Sequence, residues 1–520
     1  LETLHDNNET ARRKRVALTG ASGYIGHNLL RQLTDQYDVI ALSRRRDSKE
    51  DEEHVEWRSC ELFSMTDAEK GLAGADYAIY LVHSMLPTAK LTQADFADMD
   101  VILADNFARA ARKNGIRQIV YMSGIVPENV PREQLSRHLR SRLEVEQVLG
   151  SYGVPVTTLR AGLIVGPQGS SFPILAKLVR RLPVMLLPEW TRTPTHPVAL
   201  SDVLTSLCNS IGNRELYNKT IDVGGPESMS YKQMMIKTAQ VMGRNRSFFD
   251  IPLLTIALSR LWVTLITQMP KEMVYPLVES LAHPMVAHEE RKVKGISDGK
   301  VSFEQAAEAA LKAEAEQEEQ KQEKKRKQKQ ESSAGKAASI GPKEKRLSDV
   351  RSIQRVVLPE GKDARWAGSY YIEWLGRGLK GIVCTEYDGS SIYRVYLRFS
   401  GKPILELTYF AERSTDESAV YGITGGAFAK TLDDHAGRLE FLQIPGTQEC
   451  VIAIHDYLPS LPWFVYKYTQ AKVHLWVMYA FRRHLRRMAD SGRIPEPQNK
   501  QTGTGQLARA ARMKQKQKQS

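Results

Sequence analysis

The chain has only four cysteines, Cys60, Cys208, Cys384 and Cys450, and no two of them are close in sequence. Neither Cys-x-x-Cys nor a His/Cys spacing suited to zinc occurs, so a disulfide framework is excluded, a reducing compartment fits, and no metal is expected. Long apolar runs free of charge are also missing. Leu253–Met269 carries Arg260 in its middle, and Trp463–Met488 is interrupted by Lys467, Lys472 and His474, so neither is expected to span a bilayer. The stretch from Leu1 to Arg15 is polar and charged, and the apolar run after it is too short for the core of a signal peptide. A cytoplasmic location is therefore expected.

What is present is length, apolar content and an uneven charge. With 520 residues, 42% of them hydrophobic, the chain exceeds one ordinary core and calls for two or more domains. The formal net charge is +13, and Arg482–Ser520 alone supplies +9, from eleven basic residues against Asp490 and Glu496. A basic end of this kind suits an anionic surface, with a solubilising tail as the alternative.

From Arg15 to about Ala161, strand-like runs (Val16–Thr19, Val39–Ser43, Tyr77–Val82, Ile119–Ser123, Val156–Arg160) alternate with helix-like segments. That alternation predicts an α/β fold with a doubly wound parallel sheet. The helices expected are His27–Leu33, Asp100–Asn114, with Ile102, Leu103, Phe107 and Ala110 on one face, and Ser136–Leu149. After Gly166 prolines recur, as in a substrate-facing lobe of loops and helices. From Phe303 the composition collapses to Ala, Glu, Gln and Lys, which predicts a solvated helix over Phe303–Glu323 and then a low-complexity linker. Beyond Ile353, short alternating runs at Ile392–Phe399, Ile404–Phe410, Ala419–Ile423, Arg438–Gln443 and Cys450–Tyr457 predict an antiparallel meander, closed by a long aromatic helix over Trp463–Met488. The expected organisation is thus an N-terminal segment 1–14, an α/β domain 15–302, a linker 303–352, an α+β domain 353–489 and a disordered basic tail 490–520.

The strongest chemical signal is Thr19-Gly20-Ala21-Ser22-Gly23-Tyr24-Ile25-Gly26, set between a strand and a helix. Glycines at this spacing allow a tight turn, bring backbone N–H groups against a pyrophosphate and let helix and strand pack closely, while the helix N-terminus offsets the negative charge. These residues predict a dinucleotide site. The second strand runs into Ser43-Arg44-Arg45-Arg46, where a site preferring NAD would place an acid for the ribose hydroxyls. Arginine there suits the extra phosphate of NADP, so NADP(H) is expected in preference to NAD(H). Glu61 and Leu62, with Leu81, Val82 and His83, are expected to complete the cofactor wall. His83 and Ser84 end a strand on that side, where they either line the nicotinamide pocket or cap the strand.

Together the glycine turn, Gly74-Ala75-Asp76-Tyr77-Ala78-Ile79-Tyr80-Leu81-Val82-His83-Ser84, Ile119-Val120-Tyr121-Met122-Ser123-Gly124 and Leu159-Arg160-Ala161-Gly162-Leu163-Ile164-Val165-Gly166-Pro167 resemble an atypical short-chain dehydrogenase/reductase of the NmrA-like kind. That group also includes the NAD(P)-binding accessory subunit of respiratory complex I. The resemblance covers roughly residues 14–300 and implies a Rossmann fold holding NAD(P) across the strand ends. It also maps a catalytic set. Where the family's reductases carry Tyr-x-x-x-Lys, this chain has His138 and Arg142, and Ser123 matches the serine that orients the substrate carbonyl. Asp100 falls where other members carry asparagine. The four-residue spacing keeps His138 and Arg142 on one helix face. Arg142 can still hold the nicotinamide ribose but passes no proton on, and it disfavours the protonated form of His138. Two readings follow: an NADP(H)-dependent oxidoreductase acting on a carbonyl or unsaturated apolar substrate, or a cofactor-binding sensor or assembly factor without turnover.

Relatives of this kind often carry a β-rich C-terminal domain. In the corresponding part of this chain, Trp463, Phe464, Tyr466, Tyr468, Trp476, Tyr479 and Phe481 precede Arg482, Arg483, Arg486 and Arg487. Such a helix suits the interface of an anionic membrane, or packs its rings into the meander as in helix-grip folds. Nucleic acid is not an expected partner, since the aromatic-basic motifs of known modules are missing.

Overall fold

In the computed structural model, residues 12–44, 49–83, 92–169, 171–251, 255–331, 350–378, 382–430 and 437–492 are described. The chain divides into two compact units, residues 1–86 with 103–343, and residues 87–102 with 344–520.

The sheet of the first unit has seven strands, β1 (Arg15–Leu18), β2 (Asp38–Ser43), β3 (Val55–Ser59), β4 (Tyr77–Tyr80), β5 (Ile119–Gly124), β6 (Val156–Ala161) and β7 (Thr220–Val223), in the order β7-β6-β5-β4-β1-β2-β3. Every neighbouring pair is parallel. The runs are apolar on both faces because helices cover both: Val16, Ala17 and Leu18, Ile40 and Ala41, and Ile79 are fully buried. Chain order reverses between β1 and β4, so the crevice of this Rossmann sheet opens at the C-terminal ends of those two strands.

The helices are α1 (Tyr24–Leu33), α2 (Met65–Leu72), α3 (Phe96–Lys113), α4 (Arg137–Gly150), α5 (Ser171–Arg181), α6 (Leu200–Ser210), α7 (Tyr231–Val241), α8 (Ile256–Thr267), α9 (Lys271–Ser280) and α10 (Phe303–Glu331). Helices α5, α7, α8 and α9 form the lobe that follows Gly166, around Phe172, Trp190, Tyr231, Val263 and Val274. Helix α10 departs from its expected solvated character. Its Phe303, Ala306, Ala307 and Ala310 recur at helical spacing and are buried in the core of the lobe, and Glu304 and Glu314 pair with Lys237 and Arg180 at 2.7 Å each. An alanine stripe is a weak apolar signal beside the dense charge, yet small side chains let this helix approach closely. The core of the first unit therefore extends past residue 302.

The second unit opens with β8 (Val350–Val357) and α11 (Ala364–Gly378). A six-strand meander follows, β9 (Val383–Tyr387), β10 (Ile392–Leu397), β11 (Pro403–Tyr409), β12 (Ser418–Gly425), β13 (Gly437–Gln443) and β14 (Glu449–Tyr457). The order is β9-β10-β11-β12-β13-β14-β8, with β8 returning antiparallel to β14 and the short strand Thr92–Gln93 added parallel to β8. The expected single C-terminal helix is two, α12 (Trp463–Tyr468) and α13 (Gln470–Ser491), because Thr469 leaves helical geometry at φ −118°, ψ −84°. One face of the sheet, with Leu407, Tyr421, Leu439, Phe441 and Ile452, packs on Tyr371 and Trp374 of α11 and on Val477, Phe481 and Leu485 of α13. The helix packs on the meander as in the helix-grip alternative, but of its rings Tyr466 and Phe481 enter the core while Phe464, Tyr468, Trp476 and Tyr479 are exposed. Among the described residues no helix is long and apolar enough to cross a membrane.

Candidate functional site

The glycine turn sits at the crevice between β1 and β4. Thr19 ties the two strand ends together: its N–H and its Oγ1 both donate to the Ile79 carbonyl at 3.0 Å, and Oγ1 accepts from the Leu81 N–H at 2.9 Å. Gly20 turns the chain at φ +66°, in the left-handed region that favours glycine. A Cβ on Gly26 would lie 2.2 Å from the Gly20 carbonyl oxygen, so the third glycine lets α1 fold back on the turn that precedes it. Gly23 is the N-cap of α1 and offers no side chain to the first-turn N–H groups, and no acid stands in that turn. An unblocked helix N-terminus facing a glycine turn is the arrangement that cradles a pyrophosphate. Ile25 packs on the core beneath.

Tyr24 of the same motif packs over the loop after β6. A Cβ on Gly166 would fall 1.7 Å from its hydroxyl, and burial pushes that hydroxyl up to about 12, offset in part by the backbone of Gln168. Sequence reading placed Gly166 in the family pattern without seeing that it makes room for this ring.

Helix α4 carries the His138/Arg142 pair and is held at both ends of the relevant turn. Ser136 caps it by accepting from Leu139 N–H at 3.3 Å and meets Ser280 of α9 at 2.9 Å between hydroxyls. The fully buried Glu144 pairs with Arg132 at 2.8 Å. His138 is half-buried by area, with Nδ1 buried and without a hydrogen-bond partner among the described residues. Its ring meets that of His83 edge-on, with centroids 5.2 Å apart. Burial first, then His83 and Arg142, hold its pKa well below the usual histidine value, so the imidazole is neutral at pH 7. The structure thus brings together His83, in the segment after β4, and the residue aligned with the family's tyrosine. Arg142 lies one turn on, where its backbone oxygen and Nη1 are both 3.4 Å from the hydroxyl of the fully buried Tyr121. Ser123, near the end of β5, is buried, and its Oγ has no hydrogen-bond partner among the described residues.

The remaining candidates line the same sheet edge. Ser22 and Ser43 approach to 3.4 Å between hydroxyls, joining the glycine turn to the end of β2, and Arg44 follows, exposed. Arg45 and Ser84 lie outside the described residues. Glu61 is half-buried and Leu62 buried just after β3, while Leu81 and Val82 are half-buried after β4. Asn106 of α3 was not picked out from sequence. Fully buried, it donates to the carbonyls of Leu62 and Phe63 at 2.9 and 3.1 Å and so fixes the wall those residues form. An asparagine inside an apolar helical face was the available signal. Asp100 is buried on the same helix.

A parallel sheet in this order, with this turn at its switch point, defines a Rossmann unit with a dinucleotide-type glycine turn. Residues 16–184 match the model of the NAD dependent epimerase/dehydratase family. The chain is 30% identical over 145 residues to the auxiliary protein GraX of Staphylococcus aureus (strain NCTC 8325 / PS 47), which is 28% of this chain and 43% of that protein, so it spans less than half of this relative's length. Similar solved structures include a nucleoside-diphosphate-sugar epimerase from Staphylococcus aureus, 13% identical with a TM-score of 0.46 over 56% of this chain and 99% of that one. An NADPH-dependent quinone oxidoreductase of Escherichia coli complexed with NADPH is 15% identical, with a TM-score of 0.45 over 56% of this chain and 98% of the other. The Bordetella bronchiseptica enzyme WbmG in complex with NAD is 15% identical, with a TM-score of 0.45 over 58% and 94%.

Proposed function

We propose that the first unit is an NADP(H)-dependent oxidoreductase of the NmrA-like kind, reducing a carbonyl or an unsaturated, rather apolar substrate. The observation that carries this reading is a pair of buried polar atoms, Ser123 Oγ and His138 Nδ1, without hydrogen-bond partners among the described residues, on elements that end at the cofactor edge. Buried polar groups are normally paired, and unpaired ones at a cofactor edge suit a substrate oxygen. When bound, the cofactor supplies a hydride. The residues of the chain would do the rest: the glycine turn and the α1 N-terminus would hold the pyrophosphate, Arg44 the 2′-phosphate and Arg142 the ribose, and Ser123 would orient the substrate oxygen. His138, neutral at pH 7, acts as an N–H donor to that oxygen rather than as an imidazolium acid. Since Arg142 cannot relay a proton, the proton that reaches the reduced oxygen would come from solvent by way of the His83–His138 pair, the neutral His138 ring taking a proton on one nitrogen and giving one from the other.

The depressed protonation of His138 also favours a second reading, a cofactor-bound sensor without turnover. NADPH oxidation at 340 nm against a panel of carbonyls and quinones separates the two. The expected result is turnover with at least one substrate, falling at least tenfold in His138→Phe and in Ser123→Ala with NADPH affinity unchanged. Tight NADPH binding without oxidation across the panel establishes the sensor.

A further inference from the structure

Helix α13 has two apolar faces, and the sheet uses only one. Ala471, Val477, Met478, Phe481, Leu485 and Met488 are buried against the core of the second unit. The opposite side, continuous with α12, presents Phe464, Val465, Tyr468, Val473, Trp476 and Tyr479, and Phe464, Trp476 and Tyr479 are 73%, 57% and 55% exposed. Cations share this side. Lys472 lies 5.7 Å from the Tyr468 ring and Arg482 lies 5.8 Å from the Tyr479 ring, while Arg483, Arg486 and Arg487 are exposed one and two turns further on. No Asp or Glu occurs from Leu458 to Ala489.

We propose that this face docks the second unit onto an anionic lipid bilayer. Indole and phenol rings sit at head-group level with their polar tips toward water, aliphatic side chains such as Val465 and Val473 enter the acyl boundary, and arginines meet the phosphates. Charge argues against a second copy as the occupant: with no Asp or Glu from Leu458 to Ala489, the same face of a second copy offers the arginines no acid in any two-fold contact. It argues equally for an anionic partner, and the convex, partly aliphatic helix face suits a membrane surface better than the grooves in which single-stranded nucleic acids stack. Contact is interfacial, because no described helix can span.

The test is sedimentation of the full chain with vesicles of phosphatidylcholine containing about one third phosphatidylserine, against pure phosphatidylcholine, at low and high salt. Expected is pelleting with the anionic vesicles alone, lost at high salt as the Debye length shrinks. Exposed-residue variants leave the core intact: Trp476→Ser with Tyr479→Ser, and separately Arg482→Gln with Arg483→Gln, should each lower the partition coefficient about tenfold. The proposal is overturned if the chain stays in the supernatant with both vesicles. It is equally overturned if pelleting is indifferent to the aromatic pair, if the chain instead binds an oligonucleotide, or if it self-associates through this face.

Discussion

The two units rest on sheets of seven and eight strands, and they place their chemistry in different parts of them. In the parallel sheet every strand ends on the same side, so the glycine turn after β1, His83 after β4 and Ser123 at the end of β5 converge on one edge. In the antiparallel sheet successive strands end on opposite sides, no edge collects the loops, and the organised surface is a face gripping α11 and α13. A parallel sheet builds an active edge from residues far apart in sequence, whereas this antiparallel sheet builds a platform that leaves the outer side of its helix available. The first arrangement suits a buried cofactor and the second an extended partner.

If that division is right, a lesion at the edge should leave the platform alone. Gly23→Val places a branched side chain where the proposed site would take the pyrophosphate, and its Cβ would already be 3.0 Å from the Gly20 carbonyl oxygen. NADPH affinity should fall by about 100-fold or more, from lost backbone contacts and steric exclusion. Urea unfolding of the second unit should be unchanged. An effect on both units, or retained binding, would break the comparison.

The platform has its own titration. Burial lowers His474 of α13 to about 4, below its ordinary value of 6.5. Between pH 6.5 and pH 4 the unfolded chain holds more protons at this site than the folded one, so stability rises with pH across that window. The contribution is complete above pH 6.5 and is lost as pH falls toward 4. With the ring partly exposed, the loss is about 2 kcal/mol. Comparing urea unfolding at pH 7 and pH 4.5, His474→Gln should remove most of that difference in the second unit. An identical pH dependence in the variant would show that this ring is not the source.

Much of the edge was legible because it is written in special residues. Glycines at fixed spacing, a strand before them and a helix after them have few other uses, whereas His138 and Arg142 were reached only through the family resemblance. Strands carried by weaker patterns were missed: β3 (Val-Glu-Trp-Arg-Ser) is short and charged, and β8 mixes arginine and glutamine into its run. Helix α11 was hidden by its glycines, which lower helix propensity. The structure shows one reason for them, since a Cβ on Gly368 would come 2.6 Å from the Tyr421 ring. Contacts made only on folding, such as Asn106 with Leu62 and Phe63 or Tyr24 over Gly166, leave no periodic trace in the chain.

The central claim is an NADP(H) site at the edge of the parallel sheet, and its most direct test is one calorimetric titration series of NADPH and NADH into the full chain and Arg44→Ala at moderate salt. The account predicts that NADPH binds at least tenfold more tightly than NADH, and that Arg44→Ala loses about 1–2 kcal/mol of NADPH affinity with NADH unaffected, the size of a charge-assisted phosphate contact. Equal affinities for the two dinucleotides, or no binding of either, would contradict it.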